Sequence, residues 1–446
     1  MKRRWLLALQ FGLLWLPARL AQATAAERFG FGAREAALGA SSVADLGDHA
    51  AVYYDPAALT LGRGPSVAVG YQVGHYELTL DGKHYSPRGV SSFEGGWVAR
   101  GSVLSLPVAV GFAFTLPGGK LSRIETLEPG QAAWLLDELS NSVAFAGLGV
   151  AVRPWPWLSL GASLGYLAAV RGDFSVTGNA VQPAFGKSEF DSSLRHAVSA
   201  DLASVRYPTF AALIEPWPAL RAALVYREAA LIEQRIAGRL SGDLDFTAFQ
   251  VPIEYEFTSQ SVAAYLPRQV TLALSAALEP ATRVDLALVW QDLSQVPSPE
   301  ARTSARVVVS PPPGLTLDLA PDRAAAPAHK AGLGDRIVPR LGVEHFSELK
   351  SRTRLALRAG FSYERSALEQ PSAWLDATRL GASGGLGLEW NPRAVASLRL
   401  DAQAAYWHFA EERVRGDSGE RHVAGGKAFC SGLSLRVDFP VVNDPY

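Results

Sequence analysis

From about residue 65 onward the chain alternates apolar and polar residues with a period of two. That spacing puts successive side chains on opposite faces of a strand. Within Arg352–Tyr363, the residues Leu355, Leu357, Ala359, Phe361 and Tyr363 share one face, and Arg352, Arg354, Arg358 and Ser362 share the other. Val395–Trp407 repeats the pattern, with Leu398, Leu400, Ala402, Ala404 and Tyr406 opposite Ser397, Arg399, Asp401 and Gln403. Gly432–Phe439 does so again, with Leu433, Leu435, Val437 and Phe439 opposite Ser434, Arg436 and Asp438. The alternation predicts strands near 65–80, 93–104, 107–116, 143–153, 157–173, 202–215, 219–238, 267–279, 282–292, 336–346, 352–364, 379–390, 395–409 and 427–439.

Alternating strands also build soluble sandwiches, so the links between them decide the class. Tight links fall at Ser105-Leu106, Pro154-Trp155-Pro156, Pro216-Trp217-Pro218, Pro280-Ala281, Ser347–Lys350 and Asn391–Ala394. Between them lie longer links near 81–92, 117–142, 179–201, 243–266, 293–335, 365–378 and 410–426. Short and long alternate strictly, as periplasmic turns and outer loops do in a membrane barrel. The expected fold is all-β: a transmembrane antiparallel β-barrel of about 14 strands with both ends on the periplasmic side. Trp155, Trp157 and Trp217 at the turns, and Trp290, Trp390 and Trp407 at strand ends, suit interfacial girdles.

Two segments precede this region. Residues 1–25 read as a secretory signal: Lys2, Arg3 and Arg4 lead into the apolar run Trp5–Leu16. Ala21-Gln22-Ala23 and Ala23-Thr24-Ala25 are both suitable cleavage sites. Residues 26–63, rich in glycine and alanine, are expected to plug the lumen as a hatch, leaving 64–446 as the barrel.

Composition narrows the chemistry. With 42 basic and 43 acidic residues, the chain offers no electrostatic case for a nucleic-acid partner. Past the N-terminus no run of ~18 apolar residues suggests a helical span. A single cysteine, Cys430, excludes an intrachain disulfide. The eight histidines show no metal-ligand spacing, and neither a metal nor a cofactor is expected. Gly161-Ala162-Ser163-Leu164-Gly165 and Gly381-Ala382-Ser383-Gly384-Gly385 match a nucleophile motif, yet both sit inside alternating strands rather than at a strand–turn–helix elbow. No catalytic residue is therefore expected.

Two features point to ligand binding instead. The polar strand faces carry more arginines, Arg340, Arg354 and Arg358 among them, than carboxylates. A guanidinium grips a carboxylate in bidentate fashion and keeps its charge, so these three are candidate head-group residues. The outer segment Gln131–Leu139 reads as a helix with Trp134, Leu135 and Leu139 on an apolar face, a landing surface for a hydrophobic ligand.

Taken in order, several segments resemble the FadL-type outer-membrane transporters of long-chain fatty acids and aromatic hydrocarbons. Gly30-Phe31-Gly32-Ala33-Arg34, Ala37-Leu38-Gly39-Ala40 and Tyr53-Tyr54-Asp55-Pro56-Ala57 look like that family's hatch, with Asp55 where its Asn-Pro-Ala motif has asparagine. Leu266-Pro267, Pro339–Glu344, Leu357–Tyr363 and Leu375–Arg379 resemble later family segments. The resemblance implies a fourteen-stranded barrel with an internal hatch fixed by Tyr54, Asp55, Pro56 and Ala57. It further implies capture of a hydrophobic small molecule outside, an inner pocket, and lateral release through a kinked wall in the outer membrane. Gly95-Gly96 is the candidate kink. Outer-membrane lipid and the barrel assembly machinery are the expected partners, with Phe439 or Tyr446 as the terminal aromatic. A water-filled general porin and a structural or secretion-accessory barrel are the rival readings.

Overall fold

In a lipid-embedded barrel the apolar face of each strand must point outward, the reverse of a soluble core. The computed structural model shows this inversion. It describes residues 25–62, 64–85, 89–118, 133–134, 144–181, 191–246, 249–298, 300–309, 313, 322–350, 352–369, 374–392, 396–416 and 419–440. Leu357, Phe361, Leu400, Leu433 and Leu435 are exposed, whereas Arg358, Ser362, Asp401 and Gln403 are buried inside.

Fourteen antiparallel strands close the wall. They are β1 (Ser66–Leu80), β2 (Val90–Val103), β3 (Leu106–Pro117), β4 (Ala144–Trp155), β5 (Leu158–Val181), β6 (Asp191–Trp217) and β7 (Leu220–Arg227). There follow β8 (Gln269–Glu279), β9 (Thr282–Gln291), β10 (Arg336–Lys350), β11 (Thr353–Glu364), β12 (Arg379–Trp390), β13 (Ser397–Arg415) and β14 (Arg421–Asp438). Each pairs with its neighbours in sequence, and β14 returns to β1 from Ser66↔Asp438 to Leu80↔Ala424. Full pairing leaves the wall no open edge in lipid. No described helix is long and apolar enough to cross a membrane.

The tight turn between β2 and β3 puts Leu104 and Ser105 at positive φ, the backbone of a two-residue hairpin. Trp155, Trp157, Trp217 and Trp390 are exposed at the short turns, as a girdle requires. Trp407 is a correction: it faces inward and packs edge-on against Phe29 of the N-terminal segment, 5.1 Å between ring centroids.

Three further differences concern the outer side. The regions expected as links at 243–266 and 293–335 contain strand, since Ala230–Phe246 and Phe249–Leu266 form a hairpin flanked by Arg302–Val309. β5, β6, β13 and β14 run on into their expected loops. Ala133–Trp134 is a short strand beside Trp374–Leu375, not a helix. In the wall, the β1–β2 and β2–β3 ladders run unbroken through Gly95 and Gly96. Gly96 makes room there for His49 of the N-terminal segment.

Candidate functional site: a hatch-floored cavity

Residues 25–62 fold back into the lumen as short helical turns: Ala25–Phe29, Ala33–Ala37, Ser42–Asp45, Ala51–Tyr54 and Pro56–Leu61. None is long enough to be stable alone, so the wall has to hold them. It does so first by close approach. A Cβ on Gly161 would overlap the backbone of Pro56 and Ala57, and one on Gly360 the backbone of Leu38 and Gly39. The hatch thus seats directly on wall backbone.

Charge supplies the second hold. Arg34 binds Glu344 of β10 at 2.7 Å and Asp45 at 3.0 Å. Arg358 closes the same knot, at 2.6 Å from Glu344 and 2.7 Å from Asp401. Asp45 also receives Arg221 and Arg283 from β7 and β9, and Asp48 pairs with Arg436 at 3.1 Å. Buried ions of this kind are costly to separate, because a lone survivor has neither water nor partner.

The expected hatch residues fall where two of these turns meet. Asp55 caps the Pro56–Leu61 turn, its Oδ1 accepting from the Ala57 N–H at 2.9 Å, and Pro56 opens the turn. Asp55 is wholly enclosed, and burial pushes its carboxyl up to about 7. The Tyr54 hydroxyl accepts from the Phe31 N–H at 2.8 Å, tying the hatch to its own start. Ala57 is buried against Gly161.

Above this floor lies a cavity of about 850 Å³ free of protein atoms, part of it open to solvent. Arg227 ends β7, Gln269 begins β8 and Glu364 ends β11, so it lies in the outer half of the barrel. Hatch residues Val43, Tyr53 and Tyr54 form one side, while Val225, Val289 and Trp407 supply apolar wall. A second space, about 550 Å³ with part of it open to solvent, continues toward Leu266, Leu293 and Val296. The two share Glu27, Arg28, Arg340 and Glu364, which form a charged neck.

Of the three arginines singled out from the sequence, only Arg340 reaches this space. It is half-buried, and its Nη1 donates to the Ala40 carbonyl at 3.3 Å. Arg358 lies in the buried knot, and Arg354 stacks over Phe346 while pairing with Glu348 at 3.0 Å near the β10–β11 turn. Neither lines a described cavity, because neighbouring carboxylates claim both. Trp134 is not an exposed landing residue: it is fully buried, edge-on to Phe409 at 5.7 Å. Leu135 and Leu139 lie outside the described residues. The two Gly-x-Ser-x-Gly matches sit within β5 and β12, and Ser383 donates to the hatch carbonyl of Ala37 at 2.9 Å.

Sequence reasoning did not single out Gln269, or Arg227 among the lumen arginines, as site residues. Their signal was positional: polar residues on inward faces at the outer ends of adjacent strands.

A closed fourteen-stranded wall, an apolar outer belt and an internal hatch define an outer-membrane barrel of the FadL type in fold. Solved structures carry the same architecture. A FadL homologue from Pseudomonas aeruginosa aligns with a TM-score of 0.55 at 13% identity, over 92% of this chain and 98% of its own. The Pseudomonas putida toluene transporter TodX aligns at 0.54 and 14%, over 93% and 100%. The monoaromatic hydrocarbon channel CymD aligns at 0.51 and 13%, over 94% and 98%. No protein-family model and no curated protein matches the sequence.

Proposed function

We propose that this barrel carries hydrophobic small molecules passively across the outer membrane. One observation carries the reading: the N-terminal segment packs inside the lumen and a partly apolar cavity lies against it. An open water pore has no use for such a floor. The solved structures of similar fold include transporters and channels for toluene and monoaromatic hydrocarbons, which supports the same class of cargo.

In this scheme a ligand enters through the outer cavity, passes the neck and settles against Val225, Val289 and Trp407. Apolar burial supplies affinity at about 25 cal/mol per Å². For a long-chain fatty acid, Arg340 is the head-group residue, since it lines both cavities and, among the described residues, its guanidinium forms no ion pair within 4 Å. With the direct path floored by the hatch, release runs sideways through the wall. The aromatic belt meets outer-membrane lipid, and Phe439, whose N–H bonds Pro65 at the end of the last strand, is the terminal aromatic offered to the assembly machinery.

The test is uptake of labelled oleate and of labelled toluene by a deletion strain and its complemented partner. Complementation is expected to restore uptake of at least one. Unchanged uptake of both would overturn the proposal.

A further inference from the structure

Across the outer rim of the cavity runs one tier of inward-facing polar residues. Thr209 pairs in register with Arg227, Arg227 with Gln269, Gln269 with Gln291, and Gln291 with Arg336. At one end the tier is satisfied, with Arg336 Nε donating to Gln291 Oε1 at 2.6 Å. In its middle it is not. Arg227 and Gln269 are each more than nine-tenths buried and both line the cavity, and among the described residues Nε of Arg227 and Nε2 of Gln269 have no hydrogen-bond partner. Native interiors leave few such donors.

The pair's geometry and charge specify what would meet them. Directly opposed residues on neighbouring strands hold their Cβ atoms about 4.5–5.5 Å apart, so the two side chains border the same stretch of the cavity. The positive charge of Arg227 is already matched: its Nη2 lies 2.6 Å from Glu27, which also accepts from the Tyr53 hydroxyl. A carboxylate placed there would stand beside Glu27 as a second anion for one cation. A bare hydrocarbon would leave both donors buried and unmet, which costs more than a hydrogen bond gains. A carbonyl oxygen has two lone pairs and no charge, and accepts from both.

We propose that Arg227 and Gln269 form a receptor for an uncharged acceptor oxygen, so that the cavity prefers oxygenated hydrophobes, such as ketones, aldehydes and esters, to hydrocarbons and carboxylates. The inference rests on the transporter reading above and names the ligand class of its inner site. Sites built to hydrogen-bond one group discriminate strongly against analogues lacking it.

Calorimetric titration of the full-length barrel in detergent with acetophenone, ethylbenzene and benzoate, matched in size, tests this. Acetophenone is expected to bind about tenfold more tightly than either of the others. Gln269→Leu is expected to abolish that preference while leaving ethylbenzene binding unchanged or tighter. If Gln269→Leu fails to fold, Gln269→Glu keeps the volume, removes the donor and is expected to do the same. Ethylbenzene binding as tightly as acetophenone, or benzoate binding best, overturns the inference and leaves the transporter reading standing. Binding of none of the three, together with no uptake in the strain assay, overturns both.

Discussion

The two halves of the lumen set arginine in different surroundings. In the inner half Arg34, Arg221, Arg283, Arg358 and Arg436 each close an ion pair that fastens the hatch or stiffens its seat. In the outer half Arg227 pairs with Glu27 and Arg336 with Glu364, and Arg340 donates to the Ala40 carbonyl, all at the edge of a cavity. Paired charge buried against backbone makes a plug; charged and polar side chains beside a cavity make a binding site. The same residue type on the same strand faces therefore serves two ends, and the partner within reach decides which.

The widest break in that contrast is removal of the plug. Deleting residues 29–59 is expected to turn a barrel without steady conductance into an open channel in planar bilayers, and unchanged conductance would count against the hatch assignment. Next in size is the knot. Arg358→Leu leaves Glu344 and Asp401 short of a cation and is expected to cost about 3–5 kcal/mol, read as an earlier loss of the compact band in heated gel migration. A smaller effect is expected from Gly161→Val, whose side chain would overlap the seat of Pro56 and Ala57; intermittent ion leak is the readout, with the barrel still folded.

A fourth prediction concerns pH. Asp55 holds its proton up to about 7 when folded, against an unfolded carboxyl near 3.9. Its contribution to stability is thus full below pH ~4 and lost as pH rises through about 7. Wild-type protein is expected to unfold more easily at pH 8 than at pH 5, and Asp55→Asn to flatten that difference. A slope equally steep in the variant would show that other groups set it. The smallest effect belongs to the neck: Arg340→Gln is expected to weaken binding of a fatty carboxylate several-fold and leave a neutral hydrocarbon untouched, by calorimetry. Equal loss for both would mean that Arg340 shapes the neck rather than reads charge.

Much of this was legible before any coordinates. Period-two alternation located all fourteen wall strands, because one face must meet lipid and the other the lumen at every step. What lay beyond the membrane was less legible: Ala230–Leu266 alternates much as wall strands do, and nothing local marks where lipid stops. The fates of the three arginines were hidden for another reason. Glu344 and Asp401 reach Arg358 from β10 and β13, and Arg34 joins them from 310 residues away. Lumen-facing character is local, whereas pairing is a property of the closed barrel. Trp134 shows the same limit, since its burial depends on Leu375 and Phe409 meeting it from distant segments.

The central claim, a plugged barrel that passes hydrophobic molecules, is tested most directly by measuring solute flux and ion conductance on the same proteoliposomes. The account predicts entry of labelled toluene or oleate without steady ion current. Steady current with no flux of either solute would contradict it and identify a water-filled pore.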